Sequence, residues 1–195
     1  IVCLLIAYPV AYLLAKGEFR RGNVLLMLFV MPMWINFTLR ITALKEILTL
    51  IEGNLAFHPF LNTVIGMTYD FLPFMILPIY NALVRIRKDL IEAARDLGAG
   101  NLLVFFKIIL PLSLSGVFSG IIMVFVPALT SFVISDLLGG GKVLLIGNVI
   151  EQSFMQGMDW HLGSGLSIVL MIFVIASMAF MNRQDKENEG GNAVW

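Results

Sequence analysis

The sequence predicts an all-α protein that crosses a membrane several times, and three observations carry that reading. Apolar residues make up 59% of the 195 residues and charged residues only 13%, about half of the roughly 25% usual in soluble domains. The mean hydropathy is +0.92, more apolar surface than a water-soluble core can hide. The apolar residues also gather into five runs, at about 1–15, 22–43, 62–84, 112–134 and 164–181. Lipid satisfies no backbone group, so each run is expected to be a helix.

Taken in order, the first run (IVCLLIAYPVAYLLA) would rise only about 22 Å as a helix, short of a hydrocarbon core of about 30 Å. It lacks the basic start and small-residue cleavage site of a signal peptide. The chain opens at Ile1 inside this run, and the expectation is the later part of a membrane helix whose beginning is missing. The four later runs are each long enough, or nearly so, to cross. Pro9, Pro32, Pro73, Pro78 and Pro127 interrupt them, either as packing kinks or as kinks beside a pathway. The residues after Met181 (NRQDKENEGGNAVW) are polar, so a transmembrane domain over 1–182 is expected to end in a disordered tail over 183–195.

Lys and Arg sort by connection. Segments 16–21 and 85–107 and the tail hold ten of the thirteen, leaving Arg40, Lys45 and Lys142 elsewhere. The positive-inside rule puts that first group in the cytoplasm. A formal net charge of zero argues against nucleic acid as a partner, which calls for a basic face. Cys3 is the only cysteine, so there is neither a disulfide framework nor a Cys-based metal motif. His58 and His161 stand far apart with no metal-ligand spacing around them.

The cytoplasmic connection 85–111 is the most informative stretch. It reads as two short helices, the second starting at Asn101 and running to Pro111. Asp89 is placed to cap the first, with Glu92 as its capping-box partner, and Gly98 stands where a helix-ending glycine belongs. Small Ala93 and Ala94 would let another backbone approach closely. On physics alone such a hairpin is either a docking element or an interfacial amphipathic segment.

Glu92-Ala93-Ala94, three residues, Gly98, nine residues, then Ile108-x-Leu110-Pro111 resembles the EAA loop of ABC importer permeases at every fixed position and both gaps. The stretches 31–48 and 72–83 resemble the spermidine/putrescine group of these permeases, specifically its first permease subunit. So does 126–154, above all the S-D-L-x-G-G-x-K-x-x-L-I-G-N run over 135–148. The resemblance implies a type I ABC importer permease fold, with five transmembrane helices present of an expected six. Glu92, Ala93, Ala94, Arg95, Asp96, Leu97 and Gly98 would then couple the permease to an ATPase. It further implies a second permease subunit as heterodimer partner, two cytoplasmic ATPase subunits and an extracytoplasmic substrate-binding protein, in a bacterial cytoplasmic (inner) membrane. This chain would bind no cofactor and perform no chemistry, with ATP and Mg used by the partner ATPase. A permease for sulfate, phosphate, iron or an amino acid is the alternative within the class. A secondary transporter or channel is the alternative outside it, and should show an inverted repeat; none is visible.

Other signals carry less. Gly139-Gly140-Gly141-Lys142 lacks the spacing and the Ser/Thr of a phosphate-binding loop. Leu114-Ser115-Gly116 reads as small residues for helix packing. Asn36-Phe37-Thr38 matches a glycosylation sequon inside a hydrophobic run and is read as chance. Asp70 is the one acid within a span, about 13 Å along a helix entered near Leu61, and an acid there is a functional hypothesis by default. Asp70, Asp136, Trp34 and Tyr80 are the residues expected along a substrate path. Asp70 hydrogen-bonded to a neighbouring helix, Asp136 as a loop cap, and Trp34 and Tyr80 as interface anchors are the structural alternatives. Arg40 is expected to snorkel to the outer surface.

Overall fold

The computed structural model describes residues 1–17, 22–157 and 159–191, except for the side chains of 23 and 180–191. Ten α-helices follow one another among these residues: α1 (Val2–Lys16), α2 (Gly22–Val30), α3 (Phe37–Glu52), α4 (Pro59–Arg85), α5 (Lys88–Asp96), α6 (Asn101–Val104), α7 (Leu110–Thr130), α8 (Val133–Leu138), α9 (Ile146–Met155) and α10 (Trp160–Gly191). No strand occurs among the described residues. A π turn over Phe105–Ile109 joins α6 to α7 without a break, making one helical run over Asn101–Thr130.

Among the described residues, three helical runs are long and apolar enough to cross a membrane: Pro59–Arg85, Asn101–Thr130 and Trp160–Ala179. A fourth apolar stretch is sharply bent. In place of one uninterrupted helix over 22–43, Val24–Trp34 and Phe37–Glu52 meet at 100°. Pro32 sits in a short 3₁₀ turn, Met31–Trp34, and Ile35 is extended. Asn36 then starts a new helix, its side-chain oxygen accepting from the backbone N–H of Thr38 at 2.9 Å and of Leu39 at 3.4 Å. The Asn-x-Thr read as a chance sequon is therefore an N-cap. Val2–Lys16 is apolar but shorter than a span. Of the five interrupting prolines, only Pro32 coincides with a break; Pro9, Pro73, Pro78 and Pro127 lie inside continuous helices.

Two further boundaries differ from expectation. α7 stops at Thr130, short of 134, and the Thr130 hydroxyl turns back onto the carbonyls of Val126 and Pro127. α10 continues to Gly191, where a disordered tail from 183 was expected. Extending an existing helix adds one bond per residue, and Gln184, Lys186, Glu187 and Glu189 are good helix formers. Residues 192–195 of that tail, and Arg20 and Arg21 of the first basic segment, lie outside the described residues.

The chain divides into two compact units. The first comprises Ile1–Phe29, Leu72–Met123 and Met181–Trp195. Its α1 buries a helical stripe of Cys3, Ala7, Ala11 and Leu14, and its part of α4 buries Ile76, Ile79 and Leu83. α4 and α7 approach closely at Gly116 and Gly120, the small-residue spacing used by packed membrane helices. A Cβ at Gly116 would stand 2.5 Å from that of Ala82. The second unit comprises Val30–Phe71 and Val124–Phe180. Ile41 of α3 and Ile134 and Leu138 of α8 are fully buried there, and Gly66 of α4 lets Leu138 come close. Buried Asn62, Asp70, Ser135 and Asn148 give this unit a polar interior.

Candidate functional site

The site is built on α5, a helix with charged residues on one side and Leu90, Ile91 and Ala94 among its apolar positions. Its start differs from the expected capping box. Arg87 is the N-cap residue and gives no side-chain cap, and Asp89 lies one residue inside the helix. The Asp89 carboxylate instead accepts from Arg87, at 3.1 Å from Nε and also from Nη2. That hydrogen bond to the guanidinium holds the Asp89 carboxyl below its ordinary range. An acid in the first turn also suits the helix dipole.

The end of α5 is sharply defined. Gly98 takes φ +86°, a left-handed backbone that residues with a Cβ adopt only at a cost. Its N–H donates to the Arg95 carbonyl at 2.8 Å, and the Ala99 N–H donates to the Ala94 carbonyl at 3.0 Å. Together these bonds form a Schellman stop. Glu92, Ala93, Arg95, Asp96 and Gly98 are exposed, and Leu97 is 90% exposed.

Two hollows flank α5 within the first unit. One, about 420 Å³, is lined by Asn81, Arg85, Arg87, Leu90 and Ser115 among others. The other, about 360 Å³, is lined by Tyr12, Lys16, Lys88, Glu92, Arg95 and Asn101 among others. The helix is also tied to its neighbours. Lys16 donates to the Ile86 carbonyl at 2.8 Å just before α5, and Arg95 donates to the Asn101 side chain at 3.1 Å just after it. Phe105, in the π turn, sets its ring edge-on to Tyr8 and Tyr12 of α1, with centroids 5.9 and 5.6 Å away. Movement of α5 therefore has bonded routes into α1 and into the start of the α6–α7 run.

The four residues expected along a substrate path fall in different surroundings. Trp34 is 89% exposed. Tyr80 is buried in the first unit, whereas Trp34, Asp70 and Asp136 belong to the second. Asp136 is exposed and accepts from the Asn148 side chain at 2.6 Å. Asp70 is 3% exposed and Arg40 is 9% exposed, and the two form an ion pair. Arg40 does not snorkel outward: with a carboxylate on the adjacent helix, pairing satisfies its charge where it lies. Sequence reasoning missed both this pairing and Asn148. The signal for the latter was the 135–148 run itself, whose ends touch. Asn148 bonds Asp136, accepts from the Leu145 N–H at 2.9 Å and donates to the Phe132 carbonyl at 3.3 Å.

Over residues 7–186 the sequence matches the family described as binding-protein-dependent transport system inner membrane component. The chain belongs to that family. This inner-membrane component is 40% identical, over 200 aligned residues, to the spermidine/putrescine transport system permease protein PotB of Haemophilus influenzae, covering 95% of this chain and 70% of that protein. It is 39% identical to PotB of Escherichia coli K12 over 186 residues, covering 88% and 68%. Its fold is similar to a chain of the MetNI methionine ABC transporter in inward-facing conformations, with a TM-score of 0.69, 20% sequence identity, and coverage of 95% and 87%. At that identity the likeness speaks for the fold alone. The inner-membrane component is thus an all-α, multi-pass permease with the type I ABC importer fold.

Proposed function

We propose that this chain is the membrane-spanning permease subunit of an ATP-driven importer that carries polyamines, spermidine and putrescine being the substrates named for its relatives. In this reading it pairs with a second permease subunit, receives substrate from an extracytoplasmic binding protein, and is driven by two cytoplasmic ATPase subunits that use ATP and Mg, in a bacterial cytoplasmic membrane. The chain itself does no chemistry. The observation that carries the proposal is α5: an exposed nine-residue helix bearing Glu92-Ala93-Ala94 and stopped at Gly98, tied at both ends to membrane helices. Residues Glu92–Gly98 form the docking face, and α5 relays ATPase opening and closing to the spans.

The exposed carboxylate of Asp136 favours a cation at the outer connection. Across 135–163, Asp136, Glu151 and Asp159 face only Lys142, a balance that attracts a polycation. Asp70 is paired with Arg40 and adds no net charge. The test uses the permease reconstituted with its ATPase and binding protein. Gly98→Pro forces φ near −65° where the stop needs +86°, and Glu92→Lys reverses the charge of the docking face. Both variants are expected to insert normally while substrate-stimulated ATP hydrolysis falls at least about tenfold, a loss of about 1.4 kcal/mol in coupling. Normal coupling in both would remove the assignment.

A further inference from the structure

Arg40 and Asp70 are the two charged residues buried within the second unit. An isolated charge in a membrane-spanning segment is expensive, and such residues pair or serve a function. Here each answers the other, yet Arg40 also reaches further. Its Nη2 donates to Asp70 on α4, while its Nη1 donates to the Pro32 carbonyl at 2.9 Å. Its guanidinium carbon stands 5.9 Å from the centre of the Tyr69 ring. The Pro32 carbonyl also accepts from the Ile35 N–H at 3.2 Å, so it belongs to the turn where the second apolar run bends by 100°. A helix break leaves backbone carbonyls that lipid cannot satisfy; the Pro32 carbonyl has one donor in the Ile35 N–H, and Arg40 supplies a second from the adjoining helix. Lysine could match the charge of Asp70, but it lacks the planar fork that holds two acceptors at fixed angles.

We propose that Arg40 and Asp70 are positioning residues which pin the Met31–Trp34 elbow to α4. The Asp70 carboxylate is occupied in this task and does not receive the transported cation. The pair sets how the exposed Trp34 is presented, and so acts on transport through the elbow. The uptake part of this inference rests on the polyamine reading above, whereas the pinning part stands without it.

The experiment compares the parent, Asp70→Asn, Arg40→Gln and the double variant Arg40→Gln/Asp70→Asn, with Arg40→Met/Asp70→Leu as a second, apolar double. The first readout is the thermal midpoint of the purified complex, which requires no transport. Removing one partner of a buried pair should lower it by roughly 10 °C, and at least one double variant should recover most of that loss. The second readout is the maleimide labelling rate of Trp34→Cys in a Cys3→Ala background. It should rise severalfold in Asp70→Asn and return towards the parent rate in the rescued double. The third is polyamine uptake, in which the rescued double should keep the parent KM within about twofold while Vmax follows the elbow. Three outcomes overturn the proposal: single variants with unchanged midpoint and labelling; doubles no better than the worse single; or a rescued double whose KM is raised tenfold or more, which would make Asp70 a substrate ligand. If the parent takes up no polyamine, the transport reading fails, and the midpoint and labelling readouts still decide the pinning.

Discussion

A single carbon added at Gly116 would lie 2.5 Å from the Ala82 Cβ and 2.6 Å from the Pro78 carbonyl oxygen. Real side chains do not tolerate such contacts, and backbone is on one side of them. Gly116→Val should therefore push α4 and α7 apart and cost about 1–3 kcal/mol, the usual range for overpacking. A drop of several degrees in the thermal midpoint checks this. Gly165→Val, where an added carbon meets nothing within 4 Å, is the control and should leave the midpoint near the parent value. Other single residues were only half legible. Asp70 stands out in sequence because an acid in an apolar run demands an explanation. Its partner does not, because α3 and α4 meet through folding and Arg40 lies thirty positions away. Asn36 shows the reverse error: a pattern read as chance has a use that appears only once the break beside it is known.

Among the elements, α5 was the most legible because its signals are local. Acid near the start, glycine at the stop and charge on one face all lie within about a dozen residues, although the cap residue shifted from Asp89 to Arg87. The bent second run was the least legible. Proline in an apolar run is compatible with a kink, a break or neither, and four other prolines here sit in continuous helices. What decides Pro32 is the extended Ile35, the Asn36 cap and the donor from Arg40, and the last of these is tertiary. The first turn of α5 also carries a pH signature. Because Arg87 holds the Asp89 carboxyl below its ordinary range, the pair supports the helix start at neutral pH. That support is lost as pH falls below the ordinary carboxylate value of about 4. Hydrogen exchange of the Lys88–Ile91 amides, corrected for intrinsic rates, should show protection falling there. In Asp89→Asn that step should vanish, since the carboxylate paired with Arg87 is gone.

At the scale of the whole molecule, charge sorting and helix length describe different things. The ten basic residues gathered on one set of connections predict which side each connection faces, and by that rule α5 and the tail are expected in the cytoplasm. Labelling a single cysteine at Asp96→Cys, in a Cys3→Ala background, tests this in intact cells. It should resist a membrane-impermeant maleimide until the cells are opened. Labelling from outside would overturn the map and the coupling role of α5 with it. Helix lengths are less uniform than five apolar runs suggested. The α6–α7 run of 30 residues would extend about 45 Å, beyond a hydrocarbon core of about 30 Å. Hydropathy located the apolar stretches, but it did not indicate how far a helix continues past its apolar part or where it folds back.

The run over 135–148 is fastened at its base. Asp136 meets Asn148, and the Ser135 hydroxyl donates to the Val143 carbonyl. Its tip, Gly140 and Gly141, has left-handed backbone, is exposed and has no neighbour within 4 Å for an added carbon. The clasp ties α8 to α9 across the base of the loop, while the two glycines at its tip face open space. Between Gly140 and Gly141 the protein thus offers a natural attachment point, a place to graft an epitope or a fluorophore and follow the permease at work.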